Sequence, residues 1–209
     1  MYETSVINYI KKYAVDVTCR DIYHFGIYTG NSMEALQKLM FENNIKPHNI
    51  YGFDSFIGLP AEAPGVALYK DHTKGNFNLI HDDLTIPAII NAIMGKLIYK
   101  DITTIIPGYF ADVLNHTFAD QYHLKPAFYI EIDCDLYISA LQALEFMHNY
   151  NLIVSGTIIY FDDWGGVTEY KGGESMAWRE FQQRYRYKTR ILFDCGNGRP
   201  HRQKAFKIL

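Results

Sequence analysis

Residues 127–137, AFYIEIDCDLY, carry a run of aromatic and β-branched side chains that stops at two carboxylates, Asp133 and Asp135. The apolar part has the composition of a central strand buried on both faces. Burying a carboxylate without a partner is costly. Acids at the carboxyl end of such a strand therefore point to the open rim of an α/β sheet, where ligands bind. The pattern returns at residues 156–164, GTIIYFDDW, a strand ending in Asp162 and Asp163. Two strand ends that present up to four carboxylates need a cation, protons or basic side chains to coexist. The bland alternative is turn capping and solvated loop acids.

The 209 residues suffice for one α/β domain with a sizeable core. The expected organisation is a single domain over residues 1–209, with 1–20 as an N-terminal helical segment and 21–209 as a Rossmann-like core. A net charge of −3 gives no general case for nucleic acid or an anionic membrane as partner. The most basic stretch, residues 179–190, is broken by aromatics and Gln and reads as a solvated helix face with its following turn. Three cysteines, Cys19, Cys134 and Cys195, form no CxxC pair and suit a reducing compartment. Cys134 lies between two acids that suppress its thiolate, which argues against a nucleophile. The start of the chain has no signal-peptide layout and no apolar run spans a bilayer, so a cytoplasmic location is expected. The 17 Tyr point to aromatic interfaces or a ligand cleft.

Along the chain, residues 2–17 have helical spacing of Val6, Tyr9, Ile10 and Tyr13. A strand at 21–25 runs into Gly26-Ile27-Tyr28-Thr29-Gly30-Asn31-Ser32, and a helix follows at 32–43. Strand, glycine turn and helix form the context in which close backbone approach and free helix N–H groups can hold an anion. Ser32 is the expected N-cap and a candidate ligand contact. The spacing is GxxxG, neither a dinucleotide fingerprint nor a P-loop; a plain tight turn is the alternative. A second strand, 49–53, closes at Asp54, which can either accept from ribose hydroxyls or cap the turn before Ser55. Residues 57–82 form a long irregular connection that contains His72 and His81, two candidate bases. A helix at 83–94, a strand at 102–106 and a helix at 111–118 precede the acid-ended strand. Its helix, 136–149, leads to the second acid-ended strand. A glycine-rich loop, 165–173, can gate a cleft. A helix at 174–185 and a β-hairpin of 189–193 and 204–209 complete the chain.

Several motifs occur in order: Gly26-Ile27-Tyr28-Thr29-Gly30 with Ser32, Phe53-Asp54-Ser55-Phe56-Ile57-Gly58-Leu59-Pro60, Pro107-Gly108-Tyr109-Phe110, Asp133-Cys134-Asp135-Leu136-Tyr137, and Asp162-Asp163-Trp164. From about residue 22 onward the sequence resembles the macrocin O-methyltransferase family of class I S-adenosylmethionine-dependent methyltransferases. The resemblance implies a mostly parallel seven-stranded sheet with a C-terminal antiparallel hairpin and helices on both faces. It also implies methyl transfer to a hydroxyl of a small molecule, a sugar or other vicinal diol, with S-adenosylmethionine and Mg²⁺. Carried onto this chain, Gly26, Tyr28, Gly30, Ser32, Asp54, Ser55 and Asp133 would bind the cofactor, with Asp54 on the ribose. Asp133, Asp162 and Asp163 would bind the metal, and Asp135 would cap the helix that follows it or replace one of the three. A homodimer is the family habit.

Two features depart from the family pattern. His24 stands where the family has an acid facing the cofactor's ammonium, and the chain begins close to the first strand. Residues 136–139 also lack the lysine that serves as base in catechol-type relatives, which leaves Asp133 or a loop histidine, His72 foremost, for that role. The competing function class is a non-catalytic binding or assembly protein on a methyltransferase scaffold, which binding of S-adenosylhomocysteine discriminates. A metal-dependent hydrolase using the same acids lacks an evident nucleophile and leaves the glycine loop unexplained.

Overall fold

Short apolar runs separated by amphipathic helices pair in parallel here, and the inner strands, 21–25, 50–54, 127–132 and 158–161, are buried along almost their whole length. The computed structural model describes residues 2–13, 16–69, 72–80, 84–165, 171–195 and 203–209. The strands are β1 (Asp21–Phe25), β2 (Ile50–Asp54), β3 (Thr103–Pro107), β4 (Ala127–Ile132), β5 (Ile158–Phe161), β6 (Thr189–Asp194) and β7 (Lys204–Ile208). They form one 7-stranded sheet in the order β3-β2-β1-β4-β5-β7-β6. β1 to β5 run parallel, and β7 inserts antiparallel between β5 and β6. The helices are α1 (Tyr2–Tyr13), α2 (Asn31–Glu42), α3 (Ile86–Lys96), α4 (Phe110–Val113), α5 (His116–Tyr122), α6 (Tyr137–Asn149) and α7 (Gly173–Tyr185). This is the expected fold class. No helix among the described residues is long and apolar enough to cross a membrane.

Strand alternation divides the core into two layers. Tyr23, Phe25, Ile130, Ile132 and Phe161 pack with side chains of α5, α6 and α7. Ile22, Ile50, Tyr129, Ile158 and Tyr160 pack with α1, α2 and α3. Phe25 and Phe53, paired in register across β1 and β2, stack at 4.9 Å, the kind of cross-strand aromatic pair that steadies a sheet. At the amino ends of the strands, the fully buried Asp21 accepts from the N–H groups of Asn49 and Lys125 and from the hydroxyl of Tyr23, and contacts His48 Nδ1 at 3.0 Å. One carboxylate thus joins the entrances of β1, β2 and β4.

Some boundaries differ from expectation for physical reasons. The first helix stops at Tyr13 rather than 17. α2 is capped by Gly30 in the left-handed region, φ 79°, and not by Ser32, which lies inside the helix. The expected helix at 111–118 is two, because Asn115 accepts from Phe118 N–H and starts α5 afresh. The third helix begins later, at Ile86, where Thr85 caps it. Most of the expected gating loop (166–170), the hairpin turn (196–202) and His81 lie outside the described residues.

Replacing Asp21 by Ala removes the acceptor of two part-buried N–H groups and leaves the Tyr23 hydroxyl only its bond to the Lys125 carbonyl. Asp21→Ala should lower unfolding free energy by about 2–4 kcal/mol in urea titration; a change within experimental scatter would refute the joining role.

Candidate active site

Strand order reverses between β1 and β4: the chain proceeds outward to β2 and β3 and then crosses to β4 and β5. Such a reversal opens a crevice beyond the carboxyl ends of the strands. A cleft of about 350 Å³ lies there, floored by Gly26, Asp54, Asp133, Asp135, Asp162 and Asp163 and walled by Tyr28, His72, Phe77, Tyr109 and Phe110.

Backbone hydrogen bonds carry the ladder one residue past each strand. Gly26 N–H donates to Phe53, Asp133 N–H to Phe25 and Asp162 N–H to Ile132. The glycine turn and the two acid-ended strands are thereby held level. β1 and β4 approach so closely that a Cβ on Gly26 would lie 1.7 Å from the Asp133 carbonyl oxygen, and Gly26 has φ +85°. Only glycine fits both constraints.

Asp133, Asp162 and Asp163 each offer an oxygen within 4.8 Å of the others. Burial first, then Asp162, Glu131 and Asp163, push the Asp133 carboxyl well above the ordinary range. Asp162 is raised by burial, opposed by hydrogen bonds from the Tyr160 hydroxyl and from Gln203 Nε2 at 2.6 Å. Burial and then Asp163 push Asp135 up to about 8. The donor set is all hard oxygen with excess negative charge, which fits a divalent cation such as Mg²⁺.

Asp135 does not cap α6. Its backbone is left-handed, φ 64°, and its carboxyl group meets His72 Nε2 at 3.3 Å. The cap comes from Glu62, 75 residues before Tyr137, whose two oxygens accept from Tyr137 and Ile138 N–H. A carboxylate suits a helix N-terminus. Glu62 and His72 together pin the 57–80 connection against the β4–α6 turn. His72 is buried, with its ring 5.2 Å from Tyr69 and 5.8 Å from Phe77.

Asp54 fills the turn-capping role of the two that the sequence left open, and adds one the sequence did not suggest. Its Oδ1 accepts from Phe56 N–H, a turn cap, and its Oδ2 accepts from Ile27 and Tyr28 N–H, clasping the glycine turn. Oδ1, with one donor, has capacity for another from the cleft. Ser55 accepts from Ile57 N–H and donates to the Gly58 carbonyl. Gly26, Tyr28, Asp54, Ser55 and Asp133 line the cleft, whereas Gly30 and Ser32 do not: the Cα of Gly30 faces Ile93. His24 is wholly buried, with Nδ1 2.6 Å from Oε2 of Glu131 on β4, so position 24 faces a carboxyl group across the strands and does not line the cleft. Cys134 is buried, and burial followed by Glu174 and Asp135 raises its thiol, as expected for an inert cysteine. Glu174, on α7, has no accessible surface and was not singled out by the sequence; an acid in the first turn after two glycines was the available signal.

Comparison with solved structures finds this fold in methyltransferases. The calicheamicin methyltransferase CalS11 superposes with a TM-score of 0.70 and 18% identity, covering 98% of this chain and 78% of that one. The O-methyltransferase NovP gives a TM-score of 0.74 and 13% identity over 99% and 79% of the two chains. An S-adenosylhomocysteine-bound methyltransferase from Podospora anserina, PaMTH1, gives a TM-score of 0.53 and 12% identity over 100% and 78%. No curated protein sequence matches. The macrocin O-methyltransferase (TylF) family profile matches residues 5–192, and the chain belongs to that family. It is by that membership an S-adenosylmethionine-dependent O-methyltransferase.

The raised carboxyls set a pH dependence. A folded state with higher proton affinity binds more protons than the unfolded chain, so stability falls as pH rises. The interval runs from the ordinary carboxylate value of 3.8 up to about 8, where Asp135 titrates. Chelator-treated protein should melt several degrees lower at pH 8 than at pH 6, judged by circular dichroism; a higher melting temperature at pH 8 would contradict the assignment.

Proposed function

We propose that this enzyme methylates a hydroxyl of a small polyhydroxylated acceptor, a sugar or other vicinal diol, with a divalent cation at Asp133, Asp162 and Asp163. The observation that carries the proposal is the meeting of these three carboxylates beside Gly26 on the floor of one cleft. Mg²⁺ bound there supplies a Lewis acid that lowers the pKa of an acceptor hydroxyl, and S-adenosylmethionine supplies the sulfonium methyl. The rest of the work falls to the chain. The backbone at Gly26 and the carboxyl groups of Asp54 and Asp133 orient the donor, Asp54 toward its ribose. Tyr28 and Ser55 close that side of the cleft.

His72, steadied by Asp135 Oδ1 at 3.3 Å, accepts the proton of the acceptor hydroxyl at its imidazole. Asp135 balances the charge the ring then acquires. The edge-to-face series of Tyr28 with Phe77 at 6.1 Å and of Phe77 with His72 gives the acceptor an aromatic wall. Such a wall suits a ring with one apolar face and hydroxyls on the other. Alignment of acceptor oxygen and methyl carbon within the cleft accounts for much of the acceleration. CalS11, one of the similar structures, is described as a TDP-rhamnose 3′-O-methyltransferase of calicheamicin biosynthesis, which supports a sugar-like acceptor.

Calorimetric titration with S-adenosylhomocysteine should give micromolar binding in the wild-type protein, and absence of binding in folded protein would return the chain to the scaffold reading. Asp162→Asn should lower metal-dependent kcat by roughly a hundredfold or more while S-adenosylhomocysteine affinity stays within about threefold. Undiminished turnover would remove Asp162 from the metal site.

A further inference from the structure

Beyond the last ladder bonds of β4 and β5, two peptide N–H groups remain to be satisfied beside the carboxylates: Cys134 N–H, next to Asp133, and Asp163 N–H, next to Asp162. Both go to one side chain. Glu174 Oε1 accepts from Cys134 at 3.1 Å and Oε2 accepts from Asp163 at 3.0 Å. We infer that Glu174 is a positioning residue, a clamp that sets the spacing of the three cation-binding carboxylates without touching the cation. The inference rests on the metal reading proposed above and extends it to a residue outside the cleft wall.

Several observations exclude a simpler role. Glu174 has no accessible surface, and it does not line the cleft. Both of its oxygens face peptide N–H groups. It is therefore not a fourth ligand. Nor is it a cap of its own helix, since α7 has no side-chain cap. Placing an acid among Asp133, Asp135 and Asp163 is electrostatically adverse. A residue chosen for stability alone would be uncharged there. A carboxylate offers each of the two N–H groups from separate loops an oxygen of its own.

The seat of the clamp is rigid. Gly173, at φ +60°, lets α7 come so close to the β4–α6 turn that a Cβ at this position would lie 3.1 Å from the Asp135 carbonyl oxygen. Trp178, one turn further along α7, stacks on Phe206 of β7 at 4.9 Å, and Ala177 and Phe181 are fully buried. Helix, turn and both loops thus form one unit, and supporting hydrogen bonds of this kind govern metal affinity.

The test uses full-length protein with saturating S-adenosylhomocysteine and Mn²⁺ followed by electron paramagnetic resonance, which reads bound against free ion. Glu174→Gln keeps length and loses one acceptor; Glu174→Asp keeps charge and shortens the reach. In folded protein both should weaken Mn²⁺ binding by at least about tenfold and raise the Mg²⁺ concentration for half-maximal turnover in step. S-adenosylhomocysteine affinity should stay within about threefold. Wild-type Mn²⁺ affinity in either folded variant, or equal loss of Mn²⁺ and S-adenosylhomocysteine binding in both, overturns the clamp alone. If Glu174→Gln does not fold, Glu174→Asp decides by the same criteria. A wild-type protein that binds no Mn²⁺ overturns the metal reading and the clamp with it.

Discussion

Repulsion among carboxylates at the carboxyl end of the sheet is the constraint around which the rest of the molecule is arranged. Parallel pairing of β4 with β5 places Asp133 and Asp162 on adjacent, level positions, because the N–H of each still belongs to the ladder. Asp163 and Asp135 follow within two residues. Burial and mutual repulsion raise the carboxyls of Asp133, Asp135 and Asp162 above the ordinary range. A divalent cation relieves the same repulsion without protons. The neighbouring polar groups make sense in that light: Tyr160 and Gln203 orient Asp162, His72 answers Asp135, and Glu174 spans the two loops.

On the proposed reading, the donor meets the glycine turn and the acceptor meets the connection after β2. The β1 glycine turn brings bare backbone to the cleft floor, clasped by Asp54 from β2. The 57–80 connection crosses to the other side and delivers His72 and Phe77, pinned by Glu62 at the start of α6. A residue near the end of β2 thereby caps a helix that follows β4, and the acceptor wall cannot shift without disturbing the acid-bearing turn.

Local pattern carried a large part of this in the sequence. The two runs IEIDCD and IIYFDD mark their strands, their rim and their chemistry, since apolar continuity and a sudden pair of acids are both local signals. What stayed hidden depends on partners distant in sequence. Asp135 looked like a helix cap because caps are normally local, whereas Glu62 provides the cap through the tertiary fold. Asp54 admits either of two roles from its neighbours alone; only the return of Ile27 and Tyr28 to its side shows the clasp. His24 departs from the family pattern as a letter, yet β1–β4 register sets it opposite Glu131 and restores a carboxylate at that level. Helix propensity over residues 111–118 concealed the break at Asn115, whose side chain competes with the backbone.

The most direct test of the account is an anomalous difference map from crystals grown with Mn²⁺ and S-adenosylhomocysteine. The account predicts one strong peak within bonding distance of Asp133, Asp162 and Asp163, with the nucleoside product lying along Gly26 and Asp54. A map with no peak at those three carboxylates, or with the product seated away from the β1–β4 crevice, would contradict it.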